Sequence, residues 1–218
     1  MKKNVTEVVF ILDKSGSMAG LEADTIGGYN SMLNKQRKAA GEAYVTTVLF
    51  NHQVELVHDR INARGISPIT EEDYEVGGTT ALLDAIGFSI QKIANVQKYT
   101  SETERAEKVL FVITTDGMEN ASREFTPTKI KNMIKHQKEK YGWDFIFLGA
   151  NIDAVSTAAQ FGIDEDFAVD YHADNIGTKL NYESVSDAVS NLREGKKIDR
   201  SWKVGIERDF GERRRDIE

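Results

Sequence analysis

Apolar positions in this chain fall into two patterns. Residues 5–12 and 108–114 are apolar-rich runs with β-branched residues and no Pro or Gly, as in strands buried on both faces. Residues 81–99 instead carry Leu82, Ile86, Ile90 and Ile93 at helical spacing. The same reading gives a helix over about 21–40, with first turns weakened by Gly27 and Gly28. Strands follow at 44–50 and 53–58, joined by an Asn51-His52 turn. Residues 60–80 are loop-rich, with Gly65, Pro68, Gly77 and Gly78 as punctuation. Thr126-Pro127 opens a helix that runs to about 141, because Pro in a first turn loses no hydrogen bond. A strand at 143–148, a short helix at 153–161, a short strand at 166–169 and a helix at 182–192 complete the pattern.

Strands alternating with helices predict an α/β fold: a Rossmann-like, doubly wound, mostly parallel sheet with one antiparallel edge strand and helices on both faces. The 218 residues suffice for one such domain, expected over 1–195. Residues 196–218 are highly charged and lack periodicity, and are expected to be a mobile or partner-dependent tail.

Composition narrows the function classes. Apolar residues make up 40% and charged residues 29%, as in ordinary soluble domains. No apolar run approaches the roughly 18 residues of a membrane span, and Glu7 interrupts the stretch after Lys2 and Lys3, so no signal peptide is expected. Neither a membrane nor an export route is therefore expected, and the cytoplasm is the default compartment. A net charge of −7 disfavours nucleic acid as a partner. With no cysteine there are no disulfides, thiolate metal sites or thiol catalysis.

Candidate chemistry lies where the apolar runs stop. The first ends on Asp13-Lys14-Ser15-Gly16-Ser17, a carboxylate with hydroxyls at the second and fourth positions after it. Compact oxygen donors in one tight loop suit a hard cation such as Mg²⁺. The second run ends at Thr115-Asp116-Gly117. In open α/β sheets ligands bind beyond the carboxyl ends of strands, so neighbouring strands would bring Asp13 and Asp116 to one crevice. A third segment, Gly77-Gly78-Thr79-Thr80, brings hydroxyls and close-approaching backbone to the start of a helix.

Asp13-x-Ser15-x-Ser17, then Gly-Gly-Thr-Thr-Ala-Leu-Leu-Asp, then Thr-Thr-Asp116-Gly resembles the von Willebrand factor A family and its metal-ion-dependent adhesion site (MIDAS). The three parts occur in family order, within an αβ alternation covering about residues 4–193. The resemblance implies that Ser15 and Ser17 bind the cation directly and that Asp13 holds it through water. It implies that Thr80 and Asp116 bind directly or through water. Thr80 is favoured over Thr79 because it directly precedes the Ala-Leu-x-Asp helix start. It further implies Mg²⁺, with Mn²⁺ or Ca²⁺ as alternatives, and one coordination position open to an acidic residue of a partner protein. The expected function is a metal-dependent protein-binding module within an assembly, without enzymatic activity. The alternatives are a metal-assisted phosphohydrolase and an interaction module that has lost its metal.

Other readings are weaker. A phosphatase with a nucleophilic Asp13 needs a second acid where Ser15 stands. There is no P-loop and no GxSxG elbow. His52, His58, His136 and His172 are scattered and expected to be solvated, against a zinc site. Asp84 is expected to cap its own helix or support the metal loop. Glu119 and Asn120 are expected to be solvated loop residues, and Lys14 to face solvent. The stretch from Tyr171 to Tyr182 is expected to be a loop, and Arg213–Arg215 part of a solvated tail.

Overall fold

The computed structural model describes residues 1–215. Six strands, β1 (Lys2–Asp13), β2 (Glu42–Phe50), β3 (Val54–Asn62), β4 (Ala106–Asp116), β5 (Asp144–Ala150) and β6 (Ala168–Asp170), form one sheet in the order β3-β2-β1-β4-β5-β6. Every neighbouring pair is parallel except the β2–β3 hairpin, which makes β3 an antiparallel edge.

The helices are α1 (Glu22–Lys38), α2 (Leu82–Tyr99), α3 (Pro127–Tyr141), α4 (Ala154–Gln160), α5 (Asn175–Arg193) and α6 (Val204–Arg215). Strand alternation divides the core between two faces. Val8, Phe10 and Leu12 of β1 join Leu110, Val112, Ile146 and Leu148 under α1 and α5. Val9 and Ile11 join Val109, Phe111, Ile113, Phe145 and Phe147 under α2, α3 and α4. The doubly covered sheet explains why its central strands read as apolar-rich runs without polar alternation.

Two expectations change here. Helix α5 begins at Asn175, within the stretch expected to be a loop, with the Asp174 side chain accepting from Gly177 N at 2.8 Å. Its first turns are polar, yet Gly177, Thr178 and Asn181 are buried, so they offer no apolar periodicity to read. The charged segment from Arg200 to Arg215 is not a tail: a 3₁₀ turn over Arg200–Lys203 leads into α6. Trp202 and Ile206 are buried there, and Lys203 Nζ donates to Glu165 O and Ala168 O at 2.6 and 2.8 Å. Arg213 pairs with Asp174 and, at 2.8 Å, with Asp209. A few buried anchors thus hold an otherwise polar helix beside β6. Residues 216–218 and the side chains of Lys2, Lys3, Asn4 and Arg215 lie outside the described residues.

Candidate metal centre

Chain order reverses between β1 and β4, so the carboxyl ends of these two neighbours open one crevice. Each ends on an aspartate, Asp13 and Asp116. Asp13 is 1% exposed and its carboxylate is fully engaged by donors. Oδ1 accepts from Ser15 N at 2.7 Å, and Oδ2 accepts from Thr115 Oγ1 at 2.8 Å and Asp116 N at 3.1 Å. It therefore folds its own loop and binds that loop to β4. Tyr74 O–H donates to the Asp13 carbonyl from below.

The loop after β1 turns through Gly16–Met18. Ser15 is buried, Ser17 is exposed, and their hydroxyl oxygens stand 3.1 Å apart. Ser17 Oγ donates to the Asp116 carbonyl, closing this loop onto the end of β4. Gly117 follows at φ +107°, a backbone conformation that favours glycine, beside the Ser17 hydroxyl. The Asp116 carboxylate accepts from Asn151 Nδ2 at 2.6 Å; Asn151 itself holds a left-handed φ of 56° after β5.

The third segment is tied to the first by backbone pairs. Gly16 N donates to Gly78 O at 3.0 Å, and Gly77 N to Lys14 O at 2.9 Å. Thr80 is buried and Thr79 exposed. Thr80 N donates to Asn120 Oδ1 at 2.9 Å, and Thr80 O accepts from Asn120 N at 3.1 Å. All five residues expected at the metal thus sit on three loops that bond to one another at one end of the sheet.

Asn120 is an exposed loop residue, as expected, yet it is tied to Thr80, and Glu119 is half-buried and structural, not merely solvated. Glu119 accepts from Leu83 N at 2.9 Å, capping a helix whose own N-cap, Ala81, has no side-chain acceptor. It also accepts from Ala121 N, Ser122 N and Ser122 Oγ. Asp84 reaches across in the other direction, to Arg123 N, Glu124 N and Phe125 N at 2.8–3.0 Å. It supports neither its own first turn nor the metal loop directly. The only sequence signal for these ties was a density of short acidic and amide side chains beside Asp116.

Lys14 is the opposite of solvent-facing. It is 5% exposed, and its Nζ meets Glu55 Oε2 at 2.8 Å on the hairpin edge. Among the described residues no Lys or Arg forms an ion pair with Asp13 or Asp116. Burial raises both carboxyls above the usual range, opposed at Asp13 by its Ser15, Thr115 and Asp116 partners and at Asp116 by Asn151. The crevice thus presents two aspartates without a protein counter-cation, beside hydroxyls from Ser15, Ser17 and Thr80. That donor set fits a small, hard divalent cation. Among the described residues no three His, Cys, Asp or Glu side chains gather as a metal-ligating group, so hydroxyls would have to share the coordination.

The histidines do not compete for this role, though they are not all solvated. His58 is buried, its Nδ1 2.9 Å from Thr47 Oγ1, and burial lowers its pKa. His172 packs against Phe210 in a tilted pair with ring centroids 4.6 Å apart.

No protein-family model and no curated protein matches this sequence. Solved structures do. The vWF domain of the type V pili tip protein Mfa5 from Porphyromonas gingivalis superposes with TM-score 0.59 at 11% identity, over 84% of this chain and 94% of that one. This is the fold of a von Willebrand factor A domain. At such identity the likeness to von Willebrand factor A domains establishes the fold and nothing further. A mutant PilB minor pilin from Streptococcus sanguinis gives TM-score 0.60 at 11% identity, over 86% of this chain and 62% of the pilin. Proximal thread matrix protein 1 from the mussel byssus, with a zinc-occupied MIDAS motif, gives 0.56 at 14% identity, over 85% and 46%. The chain therefore spans less than two thirds of both of these proteins. Among the described residues no helix is long and apolar enough to cross a membrane.

Proposed function

We propose that this chain is a von Willebrand factor A domain whose MIDAS holds a divalent cation, Mg²⁺ in the first instance, and that it binds a partner protein through an acidic side chain. The observation that carries the reading is the convergence of Ser15, Ser17, Thr80, Asp13 and Asp116 on one crevice whose two carboxylates have no ion-pair partner among the described residues. The zinc-occupied motif in the byssus protein supports metal binding by this fold.

In this reading Ser15, Ser17 and Thr80 offer neutral oxygens, while Asp13 and Asp116 offer charge. The two Asp13 oxygens already accept three donors, so its part is to orient the loop and to hold the ion through water. A bound cation with few anionic ligands supplies an electrophilic position that a carboxylate completes. Nothing in the crevice serves as a general base or a second metal-carboxylate cluster, so we read the domain as a binding module and not an enzyme.

Thermal unfolding with increasing Mg²⁺ or Mn²⁺ tests the proposal. A cation that binds only the folded state stabilises it by about 2.7 kcal/mol at a hundredfold excess over Kd, equivalent to roughly 5–10 °C in a chain of this size. The shift should vanish in Ser17→Ala and Asp116→Asn variants that still fold. A wild-type midpoint that millimolar Mg²⁺ and Mn²⁺ leave unmoved refutes the metal reading.

A further inference from the structure

Directly behind Asp13, on the α1/α5 side of the sheet, lies a small cavity of ≈ 20 Å³. Phe10, Leu12 and Asp13 form its sheet side, and Thr25 of α1 with Thr178 and Asn181 of α5 face them. All six are at most 4% exposed. Thr25 Oγ1, Thr178 Oγ1 and Asn181 Oδ1 have no hydrogen-bond partner, and they are three of the six such buried side-chain atoms among the described residues. The Thr25 hydroxyl lies near the Tyr74 phenol but does not meet hydrogen-bond geometry with it. Half of the unpartnered buried atoms thus line one small space.

Such a space can be resolved physically in two ways. If dry, it strands three polar atoms away from water, each at a cost to stability. If it takes up water, its size decides how much: a single molecule needs at least about 10–15 Å³ by this measure, and two do not fit. Buried waters make about three hydrogen bonds, which matches the number of unpartnered atoms. The donors and acceptors also balance. Asn181 Oδ1 can only accept; each threonine hydroxyl can donate or accept. One water can donate to Asn181 Oδ1 and to one threonine oxygen, and accept the hydroxyl proton of the other.

We infer that this cavity is a binding site for one structural water, held by Thr25, Thr178 and Asn181, that joins α1 to α5 beneath the Asp13 loop. The inference does not depend on the metal reading. It explains why polar residues occupy buried positions on the first turns of α5, where apolar ones would otherwise be expected.

Valine is nearly isosteric with threonine, so Thr25→Val and Thr178→Val give a test in which the sign decides. With water in place, each valine leaves the water one bond short, and the unfolding midpoint should fall by roughly 2–4 °C. In a dry cavity each valine removes a stranded hydroxyl, and the midpoint should rise. A crystal structure with resolved solvent should show one water within hydrogen-bond distance of all three side chains, retained in Thr178→Ser. No density there, or a midpoint that holds or rises in both valine variants, overturns the proposal. Should one valine variant fail to fold, the other supplies the same comparison.

Discussion

Glu119 makes the strongest single prediction about how the crevice is built. Its carboxylate accepts four hydrogen bonds, from Leu83 N, Ala121 N, Ser122 N and Ser122 Oγ, at 2.7–2.9 Å. Truncation in Glu119→Ala removes the side-chain acceptor of Leu83 N at the start of α2, where Ser122 Oγ serves only the next amide, Asp84 N, at 3.1 Å; the loss is about 1 kcal/mol for a helix cap. The other three donors lie in a half-buried loop where water can replace part of what they lose, which adds about 1–2 kcal/mol. A total of about 2–3 kcal/mol lowers the melting temperature by roughly 5–10 °C for a domain of this size. Circular dichroism melts of Glu119→Ala and Glu119→Gln should show a full and a partial loss, since glutamine keeps one acceptor oxygen. Met118→Ala, at an exposed neighbouring position, is the control and should change little. Because Asn120 holds Thr80 from the same loop, Glu119→Ala should also reduce the stabilisation by Mg²⁺. A Glu119→Ala protein that melts within about 1 °C of wild type would show that the cap is replaced by solvent at no cost.

Two further predictions concern the core. Burial holds Glu7 at about 7, up from 4.5, against the pull of Arg60 on the hairpin. Between these values the folded chain keeps a proton that the unfolded chain releases. Stability should therefore fall by up to about 3 kcal/mol as pH rises through that window. Urea unfolding should weaken from about pH 5 to pH 8 and flatten in Glu7→Gln; a rise with pH would contradict the assignment. At Gly177 a Cβ would lie 2.1 Å from His172 O, so Gly177→Ala must displace the start of α5. A loss of about 1–3 kcal/mol is expected in chemical denaturation, and a neutral result would mean that this turn yields easily.

The carboxylate pair was legible because β1 and β4 are buried on both faces, and each apolar-rich run leads visibly to an aspartate. The hydroxyl spacing at Ser15 and Ser17 was legible for the same reason, as it lies within one loop. What joins the loops was not. Glu119 to Leu83 and Asn120 to Thr80 link residues 36 and 40 positions apart, through polar side chains that carry no periodic signal. Lys14 was misread because its partner Glu55 is supplied by the hairpin, 41 residues away. Helix α6 was missed because its attachment rests on Trp202, Lys203 and Ile206 among charged neighbours. The buried polar turn of α5 was missed because burial there follows a cavity and not an apolar stripe.

The cross-tying of the loops has a consequence for synthesis of the chain. Ser17 meets the Asp116 carbonyl 99 residues downstream, and Asp116 in turn needs Asn151. The stretch up to Thr80 can tie the Ser15 and Thr80 segments together, through Gly16 N to Gly78 O and Gly77 N to Lys14 O, but it lacks the Asp116 side of the crevice. While only β1, α1 and the hairpin have left the ribosome, Asp13 has neither Thr115 nor the amide of Asp116 to receive. Assembly must wait until β4 inserts beside β1 and β5 follows it, a step dominated by distant contacts and therefore slow. A nascent chain stalled before residue 106 would lack the Asp116 half of the crevice, whatever fraction of its helices had already formed.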